Sequence, residues 1–184
     1  MKVRSRLAPL AVLLLAACSG KDVAETPAPQ VSYGLFPNLV DYRPMYPQGT
    51  CMTEIEVLAD QFIKLRTEMM ITSLTCPTSY RDPELYKRYV DFTFDHQDEI
   101  TASQETLGDL LGRIKRGNDR RLFDTFQTEM ANVESQNVSK VSVNTYCQAR
   151  WEQFNAVAQF DPEELTAYLK EAAELHRDDY TICG

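Results

Sequence analysis

Between residues 51 and 76 the side chains Cys51, Ile55, Leu58, Phe62, Leu65, Met69, Thr72 and Cys76 follow one another at spacings that alternate between four and three. That spacing lays them along one stripe of a single α-helix, and a stripe of that length has to be covered by other elements. Thr53 and Glu56 near its start have the spacing of a capping box, in which each side chain bonds the other's backbone N–H. No segment of the chain alternates apolar and polar residues for long enough to argue a strand, so the covering elements are expected to be helices too.

The rest of the chain supplies them. Asp82-Pro83-Glu84 reads as an N-cap followed by proline at the first helical position, opening a helix with Leu85, Tyr86, Tyr89 and Val90. That helix either continues or breaks near Asp98 to Ser103, and Leu107, Leu110, Leu111 and Ile114 carry the pattern on to an end at Gly117. A further helix starts near Asp119 with Leu122, Phe123, Phe126, Met130 and Val133, and ends in the polar run Glu134 to Lys140. The next opens at Ser142, where Val141 and Tyr146 flank the cap as a hydrophobic staple, and buries Tyr146, Cys147, Trp151, Phe154, Val157 and Ala158. Asp161-Pro162-Glu163-Glu164 repeats the cap and proline for a last helix with Leu165, Tyr168, Leu169, Ala172 and Leu175. The expected fold is all-α: one disulfide-stapled bundle of five or six helices over residues 51–184, preceded by an extended Pro/Tyr-rich arm.

Upstream the chain changes character. Lys2, Arg4 and Arg6 precede an apolar run from Leu7 to Ala17 that is too short to span a bilayer, which is the make-up of a secretory signal. The run ends in Leu15-Ala16-Ala17-Cys18, followed by Ser19-Gly20, and this resembles the lipobox of bacterial lipoproteins. The resemblance implies removal of residues 1–17, acylation of Cys18 and attachment to a lipid bilayer through that residue. Ser19 after the lipidated cysteine implies, by the same analogy, the periplasmic face of the outer membrane. Residues 18–50 then form a tether and arm: Pro27, Pro29, Pro37, Pro44 and Pro47 prevent a regular helix. Val31 to Pro47 nonetheless carries Tyr33, Phe36, Tyr42 and Tyr46, more apolar surface than a solvated linker has use for. Such a segment either wraps back onto the bundle or docks a partner with its rings as anchors.

With Cys18 acylated, Cys51, Cys76, Cys147 and Cys183 remain, an even number in an exported chain, so two disulfides are expected. If Cys51 and Cys76 sit on one helix, 25 residues at ~1.5 Å place them ~37 Å apart, and a bridge needs Cα atoms within ~7 Å. That pairing is excluded, and with it Cys147 to Cys183. Of the two pairings left, Cys76 with Cys147 and Cys51 with Cys183 is preferred, because an even number of helix reversals returns the chain to the end of the first helix at Tyr146.

The segments Leu65-Arg66-Thr67-Glu68-Met69-Met70 through Leu74-Thr75-Cys76, Tyr86 to Tyr89, and Tyr146-Cys147 are similar to uncharacterised exported all-helical proteins of bacteria. The similarity implies the helical architecture and the Cys76 to Cys147 bridge, and carries no activity.

The sequence carries none of the common catalytic or metal-binding patterns. The two histidines, His96 and His176, belong to neither a His-Glu-x-x-His nor a Glu-x-x-His arrangement, and there is no Gly-rich phosphate loop and no Gly-x-Ser-x-Gly. Asp95, His96, Asp98 and Glu99 read as a solvated acidic helix face, as do Glu171, Glu174, His176, Asp178 and Asp179. No enzyme, metal or cofactor is expected beyond the lipid on Cys18. The formal charge of −8 repels a phosphate backbone, so nucleic acid is not an expected partner. Against that acidic background Arg113, Lys115, Arg116, Arg120 and Arg121 crowd around Gly117. They either decorate a helix end or dock an acidic partner, for which Arg forks suit bidentate contact. The resulting expectation is a non-catalytic accessory or structural subunit of a cell-envelope membrane-protein complex. Tyr33, Phe36, Tyr42, Tyr46, Arg113, Arg116, Arg120 and Arg121 are its candidate contacts. The alternative is a periplasmic binding module that captures a small ligand or inhibits a cell-wall hydrolase.

Overall fold

A computed structural model describes residues 45–47 and 49–183 of the chain. After a two-residue strand β1 (Cys51–Met52) come seven helices: α1 (Glu54–Thr75), α2 (Pro77–Tyr80), α3 (Leu85–Asp95), α4 (Gln97–Lys115), α5 (Asp119–Val141), α6 (Val143–Val157) and α7 (Pro162–Leu175). A 3₁₀ turn (Arg177–Asp179) and strand β2 (Thr181–Ile182) close the chain, and β2 pairs in parallel with β1. Six long helices are thus joined by one short helical turn, α2, which Pro77 at its first position starts and Arg81 in the left-handed region ends.

The helix that begins the bundle is also its axis, because α3, α4, α5, α6 and α7 all pack on α1. A helix surrounded in this way buries more than one stripe. Phe62, Leu65, Met69, Thr72 and Cys76 of the expected stripe are buried, but so are Val57, Ala59 and Ile63, together with Asp60, Gln61, Thr67, Glu68 and Ser73. Ile55, which the periodicity places on the stripe, is 69% exposed, since the first turn of α1 stands at the rim of the bundle. Cys51 also precedes the helix: Thr53 is the N-cap, its side chain accepting from Glu56 N–H while Glu56 accepts from Thr53 N–H.

Boundaries follow the caps in most places. Asp161 caps α7, with Pro162 at the first position and Glu164 completing a capping box. Asn118 caps α5 and Ser142 caps α6. Three differ from the sequence reading. The Asp82-Pro83-Glu84 segment is a turn, with Asp82 accepting from Glu84 N–H, and α3 starts only at Leu85. The break between α3 and α4 falls at His96, two residues before the expected window. The polar run Glu134 to Lys140 is helical through Val141, because Glu134, Asn137 and Val138 turn inward. Ser142 alone then reverses direction, at φ 76°.

Two apolar clusters fill the bundle. One gathers Phe62, Leu65, Leu85, Phe92, Tyr146, Phe154 and Leu165 around the middle and far end of α1. The other gathers Tyr46, Met52, Val57, Ile63, Leu107, Leu111, Phe123 and Phe126 near its start. Gly112 lets the two helices of the α4–α5 hairpin close up, since a Cβ there would strike the Asp119 carboxyl. Two disulfides staple the bundle. Cys76 pairs with Cys147, both fully buried, and Cys51 with Cys183, each pair at a Cα separation of 5.6 Å. No helix among the described residues is long and apolar enough to cross a membrane.

Candidate functional site

At the end of the bundle where α1 begins, three of the features singled out in the sequence come together. Arg113, in the last turn of α4, donates to Glu56 at 2.9 Å. One turn further along the same face of α1, Asp60 receives the Tyr46 hydroxyl at 2.8 Å, and the Tyr46 ring stacks on Phe126 of α5 at 5.3 Å. The α4–α5 turn lies between these contacts, and it presents Lys115, Arg116, Arg120 and Arg121 to solvent. None of those four has an ion-pair partner among the described residues, whereas Lys87, Arg88, Arg113, Arg150 and Arg177 are all paired. Arg116 itself takes φ 46° although a glycine follows it, so the turn spends its left-handed position on a charged side chain. Gly117 is held by packing instead: a Cβ there would crowd Leu122.

Tyr46 is only 9% exposed, and its hydroxyl and ring are both engaged inside the molecule. At that residue the arm wraps. Tyr33, Phe36, Tyr42 and the lipidation candidate Cys18 lie outside the described residues. Burial, reinforced by the charge of Asp60 and the hydrogen bond to it, pushes the Tyr46 hydroxyl far above its ordinary value, so it remains a donor. Asp60 takes a second phenol on its other oxygen, Tyr180 at 2.6 Å, and Tyr180 in turn accepts from Gln61 at 2.7 Å. The tail of the chain is thereby tied to the same carboxylate as the end of the arm.

Deeper along α1 a second polar group crosses the core, and no sequence pattern announced it. Arg150 of α6 lies 3.4 Å from both Glu68 and Glu134, and all three are buried. Tyr146 donates to Glu134 at 2.6 Å, while Gln153 donates to Glu68 at 3.4 Å and to the Tyr168 hydroxyl at 3.0 Å. Burial raises the Tyr146 hydroxyl, and the Glu134 charge adds to it. Burial pulls the Lys64 amine down, against the opposing pull of Glu68 and Asp60. Each carboxylate in this group is satisfied by donors from other helices, so its chemistry is that of a cross-link between α1, α5, α6 and α7.

A different surface is apolar. Tyr86, Val90 and Phe94 succeed one another at one-turn intervals along α3 and are 50%, 42% and 76% exposed. No known family model, curated protein or solved structure matches this chain.

Two grooves remain. One of about 240 Å³ lies between the first turns of α1 and the end of α7, with Val57, Leu58, Ala173 and Ile182 as its floor. Another, about 280 Å³, runs between α4 and α5, where Glu105, Asp109, Asp119 and Asp124 line it together with Arg120. No group of His, Cys, Asp or Glu among the described residues has an arrangement that would hold a metal ion. His96 is buried at the α3–α4 junction, within 3.0 Å of the Phe160 carbonyl through Nε2. His176 pairs with Asp179 at 3.0 Å.

Proposed function

We propose that this protein is a non-catalytic lipoprotein, anchored through Cys18 at the periplasmic face of the outer membrane, that serves as an accessory or structural subunit of a cell-envelope protein assembly. The observation that carries the reading is the apolar row Tyr86, Val90 and Phe94 on α3. Two aromatic side chains and a valine held at one-turn intervals on a helix offer a partner a preordered anchor strip. Leu85, Tyr89 and Phe92, buried in the core from the other face of α3, hold the helix that carries the strip, so little backbone freedom is left to lose on binding.

The test is gentle detergent extraction of native membranes with the protein tagged at its C-terminus, followed by mass spectrometry of what stays bound. A recurrent near-stoichiometric set of envelope proteins, lost when Tyr86, Val90 and Phe94 are changed together to Ser, is the expected result. Recovery as an isolated monomer, or retention of the same set by the triple variant, would count against it and move weight to ligand capture.

A further inference from the structure

We propose that Lys115, Arg116, Arg120 and Arg121 form a headgroup contact that lays this end of the bundle against the anionic phospholipid surface in which an acylated Cys18 is embedded. The inference rests on the lipid-anchor part of the proposed function and adds to it an orientation and a lipid class.

Three observations on described residues carry it. The first is the state of the cations: four exposed ones within seven residues, none neutralised by an ion pair, on a chain whose formal charge is −8. With Arg113 paired to Glu56, the four basic side chains of residues 115–124 outnumber Asp119 and Asp124 by two, and Asp119 turns its carboxyl onto α4 at Gly112. The second is position. Arg113 and Tyr46 hold Glu56 and Asp60, which are one turn apart on one face of α1. Phe126, under the Tyr46 ring, is five residues beyond Arg121 on α5, about 8 Å along its axis. The chain that leads back to Cys18 therefore joins the bundle beside the cation cluster. The third is the choice of Arg116 for the left-handed residue of the turn, which aims a guanidinium outward where a glycine would have been cheaper.

Physical chemistry then selects the occupant. Residues 19–44 span at most roughly 85 Å when extended, so an anchored bundle stays within reach of its own membrane at an effective concentration in the millimolar range. A patch of net charge near +2 is too weak to recruit a free protein, yet it suffices to orient one that is already tethered. Screening confines the attraction to about 8 Å at physiological salt. The acidic remainder of the chain is repelled by the same surface, which favours the orientation with the α4–α5 turn inward.

The experiment compares the full acylated chain on phosphatidylcholine vesicles and on vesicles with about one third phosphatidylglycerol, following amide hydrogen exchange over residues 115–122. Exchange there is expected to slow about tenfold on the anionic vesicles only, and to recover in 0.5 M salt and in an Arg116→Gln, Arg120→Gln, Arg121→Gln variant. Equal exchange on the two vesicles overturns the proposal. So does equal slowing by inorganic phosphate in free solution, which would assign the cluster to a small anion. The mass of the N-terminal peptide reports acylation separately. If it carries no lipid, the anchor reading fails by itself, and the same comparison on chelating vesicles through an N-terminal His tag still decides the headgroup contact.

Discussion

Asp60 is fully buried, and its two oxygens are met by phenols that lie 14 residues before it and 120 residues after it. Nothing local distinguishes it from a surface aspartate on the polar side of α1, which is why the sequence reading passed it over, together with Glu68 and Glu134. A buried carboxylate that loses one charge-assisted donor loses stability, so Tyr180→Phe should lower the unfolding free energy by about 1.5 to 3 kcal/mol in urea. No loss would show that the tail is not fixed through this hydroxyl. Arg150→Met should cost about 3 to 5 kcal/mol by the same measurement, because it strands Glu68 and Glu134 side by side in the core. Glu56 offers a pH test. Its burial would raise its pKa, but the hydrogen bonds from Arg113 and from Thr53, with the charge of Arg113, outweigh that and hold it below the ordinary carboxylate value. A depressed folded pKa contributes stability above the unfolded value near 4.5 and loses it as the pH falls through the folded one. Wild type should therefore exceed Glu56→Gln by about 1 kcal/mol at pH 6 to 7, the modest size reflecting the half-exposed Arg113, and the two should converge in acid. A gap that stayed constant down to pH 3 would assign the difference to something other than this ionisation.

Among elements, the ends were more legible than the faces. The cap signals at Thr53 to Glu56 and Asp161 to Glu164 act through bonds three residues long, so the sequence alone locates them, and α1 and α7 start where those signals stand. Asp82-Pro83 shows the limit of the same logic: the cap residue is used in a turn because Arg88 reaches back to it at 3.1 Å. Faces depend on how many neighbours a helix has. The period of α1 revealed a stripe, while five surrounding helices made nearly the whole circumference a core. On α3 the opposite holds: of the residues that mark this helix in the sequence, Leu85 and Tyr89 are buried with Phe92, while Tyr86 and Val90 look outward with Phe94. Helix length left two cysteine pairings open and the count of helix reversals favoured one of them, the one the structure has, with Cys76 at the end of α1 beside Cys147 in α6. This buried bridge closes a separation of 71 residues, so Cys76→Ser with Cys147→Ser should cost about 2 to 5 kcal/mol in reversible unfolding. An unchanged midpoint would mean that the Tyr80 hydroxyl bond to the Cys147 carbonyl and the Tyr80–Trp151 contact secure α2 on α6 without it.

For the whole molecule the question is how the segment before the bundle and the bundle itself share one chain. The segment before Tyr46 reads in the sequence as aromatic and punctuated by proline, and that pattern is silent on what its rings pack against. Tyr46 answers for its own end: it is a core residue, stacked on Phe126 and bonded to Asp60, and it belongs with the fold. That separates two effects which a combined substitution of all four arm rings would merge. Tyr46→Ser alone should act on folding, removing a buried ring and one donor of Asp60 and lowering stability by about 3 to 5 kcal/mol. Tyr33→Ser, Phe36→Ser and Tyr42→Ser together should leave the unfolding midpoint within about 0.5 kcal/mol of wild type and reduce retention of envelope partners in detergent extracts. If the triple variant instead loses stability as Tyr46→Ser does, with partner retention falling only in proportion, then the arm continues onto the bundle beyond Tyr46. The apolar row on α3 and the cations of the α4–α5 turn would then be left as the surfaces through which the molecule meets its surroundings.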